Sequence, residues 1–355
     1  MPGPLEGVVI TELAGLGPAP FAGMVLADLG ARVLRIDRPP GSAGLFPHSP
    51  NDLLDRGRES LAVDLKKAEG VEVVLRCVEV SDTLIEGFRP GVTERLGLGP
   101  AECLARNKSL VYGRMTGWGQ DGPLASRAGH DIDYIGVSGV LHSIGPADRP
   151  VPPLNLVGDF GGGGMLLVVG VLAGIVNARA TGVGQVVDAA MTDGSALLST
   201  SHHGYMADGW WAPRRDSNLL DGAAPFYSVY ETSDGGHVAV GALEPQFFNA
   251  LLGGLGLDME HVGAQNDREG WPAMRALFAE RFRTRTRDEW AEHFGGTDAC
   301  VAPVLSMTEA PRHPHNRFRR TFVEVDGVTQ PAPAPRFSET PARISRGPVA
   351  PGVDT

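Results

Sequence analysis

The chain has 355 residues, 42% of them apolar, with a formal net charge of −11. That apolar share supports a sizeable core, and at roughly 150 residues per domain the length predicts about two domains. An acidic chain with no long basic run is a poor candidate for binding nucleic acid. The 48 glycines and 28 prolines are an excess over the average combined share of about 12%, but they follow no period, which excludes collagen. They cluster between apolar runs, as turns and close backbone approaches do.

In chain order, a β-branched run at 8–10 predicts a strand. A loop with Gly15, Gly17, Pro18 and Pro20 follows, then a helix over 21–29 stopped by Gly30, then a strand over 32–37. Further strands are expected at 61–65, 83–85, 110–115 and 184–188, with an amphipathic helix over 67–78 between the first two. Strands alternating with helices predict a parallel α/β sheet. Four glycines introduce an apolar helix over 165–179, whose two-sided apolarity predicts burial on more than one side. Residues 202–221 lack a period and are expected as a long connection. Around Asp234-Gly235-Gly236, runs at 226–230 and 237–240 predict a β-hairpin, followed by helices at 247–255, 271–282 and 287–294. From Gln330 a Pro- and Ser-rich segment is expected to run extended over the surface. The division that follows is 1–200 as a large α/β domain, 201–224 as a linker, 225–320 as a small domain, and 321–355 as a segment returning to the large one.

Cys77, Cys103 and Cys300 are far apart and show no metal-ligand spacing, which predicts free thiols in a reducing compartment. No basic n-region precedes an apolar segment, and the apolar stretch at 165–176 is too short to span a bilayer, so a cytoplasmic chain without a membrane span is expected.

Several segments carry candidate chemistry. Gly15–Pro20 imitates a dinucleotide turn, with Asp37 at the ribose position. Pro18 and Pro20 remove amides that would hold a pyrophosphate, which favours an ordinary strand–helix turn. Arg35, Arg38, Arg56, Arg58, Lys66, Lys67, Arg89 and Arg95 crowd the first hundred residues near predicted strand ends, and as a group they suit one phosphate-rich ligand. His130, beside Gly129, is a candidate general base or a histidine kept for structure. Asp131 is a candidate cap. Asp159, before Gly161–Gly164, is a candidate acid at a helix start or an ordinary cap. Backbone amides around it are candidates to hold an oxyanion, and the glycines to admit a ligand. Glu244 closes the hairpin. His202 and His203 have no ligand partner at useful spacing, so no metal site is expected.

The stretches 3–39, 84–100, 114–141, 151–170, 184–198 and 230–247, and above all the AGHDIDY and NLVGDFGGG blocks, resemble the α-methylacyl-CoA racemases of the family III CoA-transferase superfamily, bacterial members especially. The resemblance implies an α/β fold with a Rossmann-like large domain and a smaller α+β domain, in an interlocked homodimer. It implies racemisation of 2-methylacyl-CoA thioesters in fatty acid and lipid metabolism. His130 and Asp159 would be the acid/base residues, and Glu244 would support His130 across the dimer. The family's CoA-contacting positions match Arg38, Val63, Asp64, Leu65, Lys66, Gly87, Phe88, Arg89, Arg95, Gly129, Asp131 and Tyr134. CoA is then part of the substrate, and neither a separate cofactor nor a metal is expected.

The chemistry asks for a proton to leave one face of a carbon α to a thioester and another to arrive on the opposite face. Asp159 meets two opposed influences: a helix N-terminus favours its carboxylate, and burial favours its acid form. The competing readings are a CoA-transferase with Asp159 as nucleophile, a non-catalytic CoA binder, and a nicotinamide oxidoreductase.

Overall fold

The computed structural model describes residues 3–39 and 49–355. These form two compact units, one from Met1–Val140, Pro153–Ser199 and Pro314–Thr355, the other from Leu141–Pro152 and Thr200–His313.

The first unit contains β1 (Val9–Leu13), α1 (Pro18–Asp28), β2 (Arg32–Asp37), β3 (Arg58–Ala62), α2 (Ala68–Glu79), β4 (Thr83–Glu86), α3 (Val92–Arg95), α4 (Pro100–Arg106), β5 (Val111–Thr116), α5 (Asp131–Val137), α6 (Met165–Thr181), β6 (Gln185–Ala190) and α7 (Met191–Leu198). Its six strands lie in the order β3-β2-β1-β4-β5-β6, all parallel. Helix α1 starts earlier than the expected 21, because Pro18 and Pro20 occupy the first turn, where amides have no helical partner and proline is tolerated. Strand β3 ends at Ala62 rather than running over 61–65. Beyond it the Asp64 carboxylate accepts the Lys66 N–H at 3.1 Å, turning the chain toward α2.

Helix α6 corrects one expectation. Leu167, Val168, Val171 and Ile175 are buried, and the helix packs on β5 and β6. Met165, Val169 and Val176 form an exposed stripe, with Val176 70% accessible. Joined to the turn before it, the helical run Leu156–Thr181 is long and apolar enough to cross a membrane by composition, more than the 165–176 stretch indicates. Here its inner face serves the sheet.

Residues near the carboxyl end line the β3 edge. Asp354 N–H donates to Ser60 O at 3.0 Å, its carboxylate accepts Ser60 N–H at 2.9 Å, and Thr355 Oγ1 accepts Ala62 N–H at 2.9 Å.

The second unit holds α8 (Thr200–Ala207), β7 (Tyr227–Glu231), β8 (His237–Gly241), α9 (Pro245–Leu255), α10 (Met259–Val262), α11 (Trp271–Phe282), α12 (Arg287–Phe294) and β9 (Val301–Pro303), with an antiparallel sheet β7-β8-β9. The expected linker over 201–224 is instead structured. It begins with α8, and the fully buried Asn218 side chain donates to Ala212 O, Arg214 O and Asp221 Oδ2. Leu141–Pro152 joins this unit because the Arg215 guanidinium donates to His142 O at 2.8 Å and Pro146 O at 3.0 Å. The chain then re-enters the first unit through α13 (Pro314–Arg319) and the hairpin β10 (Phe322–Val325) and β11 (Val328–Pro331).

Candidate active site

The carboxyl ends of the first unit's strands open onto a cleft of about 530 Å³. It lies where the strand order reverses between β1 and β4, the position at which open α/β sheets receive ligands. Leu16, Gly17 and Pro18 follow β1, Gly87–Pro90 follow β4, and Thr116, Gly117 and Trp118 end β5. Asp52, Leu54, Met115, Arg127 and Met191 complete much of the wall, and His130 and Asp159 both face it.

His130 is the N-cap of α5. Its N–H donates to Asp133 Oδ2 at 2.9 Å, and its carbonyl accepts Asp133 N–H at 2.9 Å. This reciprocal cap fixes the backbone and leaves the side chain exposed. Tyr134, one turn later, is buried and donates to Gly129 O, with its ring edge-on to Trp118 at 4.8 Å. Burial pushes the Tyr134 hydroxyl up to about 12, so it stays a neutral donor.

Asp159 lies in the first turn of a π-helix over Leu156–Gly164 that runs directly into α6. Wide turns of this kind recur at functional sites. The Asp159 carboxylate accepts Asn155 Nδ2 at 3.0 Å, and its N–H donates to Asp131 Oδ1 at 2.7 Å. A Cβ on Gly158 would stand 2.5 Å from Asp131 Oδ1, so only glycine admits this contact. On the other side, a Cβ on Gly17 would meet Asp159 Oδ2 at 3.4 Å, and Gly17 has φ +69°. The glycine after β1 is called for by its positive φ and stands beside the Asp159 carboxylate. Burial raises the Asp159 pKa above the ordinary carboxylate value; Asn155 and His130 pull it down and Asp131 pushes it up. Of the influences named in the sequence, burial is the largest cause of this shift.

One sequence expectation narrows and another fails here. The Asp159 N–H is engaged by Asp131 and is not an oxyanion donor. The glycine run admits helices rather than a ligand: a Cβ on Gly162, Gly163 or Gly164 would meet Ser195 N at 2.6 Å, Met191 Cγ at 2.8 Å or Phe21 Cδ1 at 2.7 Å.

The basic group also divides. Arg35, Arg56 and Arg58 are buried in ion pairs with Asp37 and Asp55, with Asp28, and with Glu12 and Asp55. They are unavailable to a phosphate, and Asp37 is held by Arg35 rather than free for a ribose. Burial pushes Glu12 up to about 7 against the pull of Arg58. Among the predicted contact residues, Gly87, Phe88, Arg89, Gly129 and Tyr134 line the cleft. Arg38, Val63, Asp64, Leu65, Lys66 and Arg95 are outside its lining, as is Asp131, whose carboxylate faces Asp159. Glu244 is exposed at the N-cap of α9 in the second unit. Residues 40–48 lie outside the described residues. Sequence reasoning missed Asn155, Trp118, Asp52 and Leu54. Only Asn155, four residues before Asp159, had a local signal.

A family model described as CoA-transferase family III matches residues 5–355. The chain belongs to this family. It is 48% identical over 341 residues to a Mus musculus protein named alpha-methylacyl-CoA racemase, covering 95% of this chain and 87% of that one. The Homo sapiens protein of the same name is 44% identical over 95% of this chain and 87% of its own length. A CAIB/BAIF family protein from Brucella suis has the same fold, with a TM-score of 0.84 at 25% identity over 99% of this chain and 97% of that one.

Proposed function

We propose that this family III member racemises 2-methylacyl-CoA thioesters by 1,1-proton transfer through an enolate, with His130 and Asp159 as the two acid/base residues. The observation that carries the reading is the convergence of these two side chains, from separate elements, on one cleft. The racemase names of the mouse and human relatives, over nearly all of this chain, support it.

An imidazole takes a proton near neutral pH. A carboxyl raised by burial holds and returns one more readily than an ordinary aspartate. Each residue thus acts as base for one enantiomer and as acid for the other. The CoA portion is proposed to anchor the acyl group through Arg89 and the loops after β4 and before α5, with Arg38, Arg95 and the Val63–Lys66 turn as outer contacts. Remote binding of this kind positions the reacting carbon. No metal or dissociable cofactor enters the proposed reaction.

We also propose a homodimer in which Glu244 supports His130 from the second copy, and a cytoplasmic role in branched acyl-CoA metabolism. The exposed apolar stripe of α6 and the exposed Val186 on the outer strand β6 support a partner there.

Incubating each enantiomer of a 2-methylacyl-CoA in D₂O tests the reading. Deuterium at the α-carbon with inversion is expected, and no exchange from either enantiomer overturns it. The full-length match to a CoA-transferase model favours one second reading, in which Asp159 attacks as a nucleophile. A free carboxylic acid acquiring CoA from an acyl-CoA donor is its signature. His130 on the same cleft speaks against it, because a nucleophilic carboxylate needs no second base there.

A further inference from the structure

A buried ion-pair bracket grips the cleft wall that follows β4. Glu86, the last residue of that strand, is fully buried. Its Oε1 accepts Arg114 Nε at 2.9 Å, and its Oε2 accepts the Phe88 N–H at 2.7 Å. Arg114 sits opposite Glu86 in the β4–β5 register and is 6% exposed. Its Nη1 reaches Glu94 in α3 at 2.8 Å. One guanidinium therefore ties both ends of the segment that carries Gly87, Phe88, Arg89 and Pro90 into the cleft.

Burial of such a pair is a poor route to stability, since an apolar pair of similar volume does as well or better. A charged bracket does give directional bonds at fixed distances, which apolar packing does not. Here those bonds end on the backbone N–H of a cleft-lining residue and on the helix that closes the same segment.

We propose that Glu86 and Arg114 are positioning residues for CoA recognition: they hold the Gly87–Pro90 wall so that Arg89 meets the anionic end of the thioester. This rests on the racemase reading and adds a role for two residues that never touch the reacting carbon. Arg89 is exposed on the wall, so its side chain is set by the backbone beneath it.

The test compares a full 2-methylacyl-CoA with the same acyl group on N-acetylcysteamine, which lacks the phosphates and nucleotide. Glu86→Gln is expected to raise KM for the acyl-CoA by about tenfold or more while kcat stays within about threefold, in line with loss of a charged hydrogen bond. Its kcat/KM on the truncated thioester should match that of the parent. Equal losses on both thioesters, as general loosening would give, overturn the proposal, and so does an unchanged KM. Glu94→Gln, at the surface, carries the same test if Glu86→Gln does not fold; a KM rise confined to the acyl-CoA supports the proposal and an unchanged KM overturns it. If the parent exchanges no α-proton at all, the racemase reading falls separately. Calorimetric binding of CoA to parent and variant then decides the positioning role, with weaker binding by the variant supporting it and equal binding overturning it.

Discussion

The two units are stabilised by different means. The second is packed with rings: Phe226, Tyr230, Phe248, Trp271, Phe278, Phe282, Trp290 and Phe294 are buried in one cluster. The first packs small aliphatic residues and glycines around its sheet. Among the described residues it also holds every buried charged side chain, including Glu12, Arg58, Glu86 and Arg114. Aromatic packing supplies area without direction, whereas buried ion pairs supply direction at a desolvation cost. In the first unit Glu86 and Arg114 lie toward the carboxyl ends of β4 and β5, beneath the cleft wall, while Arg56 and Arg58 pair from the start of β3. The difference teaches that the unit carrying the proposed site fixes part of its loop geometry with directional charged bonds, whereas the other relies on packed rings.

The largest test of this division is catalytic. His130→Ala or Asp159→Asn should lower kcat/KM by about 10²- to 10⁴-fold. His130 is exposed, so the thermal midpoint of His130→Ala should match the parent. Loss of folding in parallel with activity would erase the distinction between positioned chemistry and scaffold.

Next come two stability measurements by chemical denaturation. Phe278→Ala, at a fully buried position, should cost about 3–5 kcal/mol. Arg58→Met should cost about 3–5 kcal/mol by leaving Glu12 buried without its partner. Replacing both Glu12 and Arg58 by methionine should recover most of that loss and still impair activity, if the pair's contribution is geometry. A double variant as unstable as the single one would put the buried charges on the same footing as the rings.

A smaller effect concerns pH. Asp131 raises the Asp159 pKa by its charge and accepts the Asp159 N–H, and an asparagine oxygen can still accept that bond. Asp131→Asn should therefore lower the Asp159 pKa. The acid limb for the enantiomer that uses Asp159 as base should move to lower pH. So should the alkaline limb for the enantiomer that uses it as acid. An unmoved profile would show that the charge of Asp131 does not act on Asp159.

The smallest expected effect is on stability against pH. Burial holds Glu12, Asp28, Asp55 and Glu86 above ordinary carboxylate values. A folded-state pKa above the unfolded one favours the folded state at low pH, and that contribution is lost as pH rises through the folded value, about 7 for Glu12. The thermal midpoint should decline between about pH 5 and 8, and Glu12→Gln should flatten the decline. A wild-type midpoint that rises over that window would contradict the assigned direction.

Much of this was legible locally. The strand–helix alternation, the Asp234-Gly235-Gly236 hairpin and the helices at 271–282 and 287–294 follow from short-range patterns, and they are present. His130 and Asp159 stood out because each sits in an unusual local sequence beside glycine. The arginines did not sort themselves, because a buried arginine and a ligand-binding one have the same identity and much the same neighbours in sequence. Arg58 pairs with Glu12, far away in the chain, and only the sheet brings them together.

By itself, then, the sequence determined the parallel α/β class, the family resemblance and the two candidate acid/base residues, because these depend on local periodicity and short motifs. The tertiary structure decided which arginines are spoken for, that the glycine run accommodates helices, and that burial raises the Asp159 pKa. Those outcomes depend on which groups meet across the fold, and desolvation and close contact arise only when residues distant in the chain are packed together.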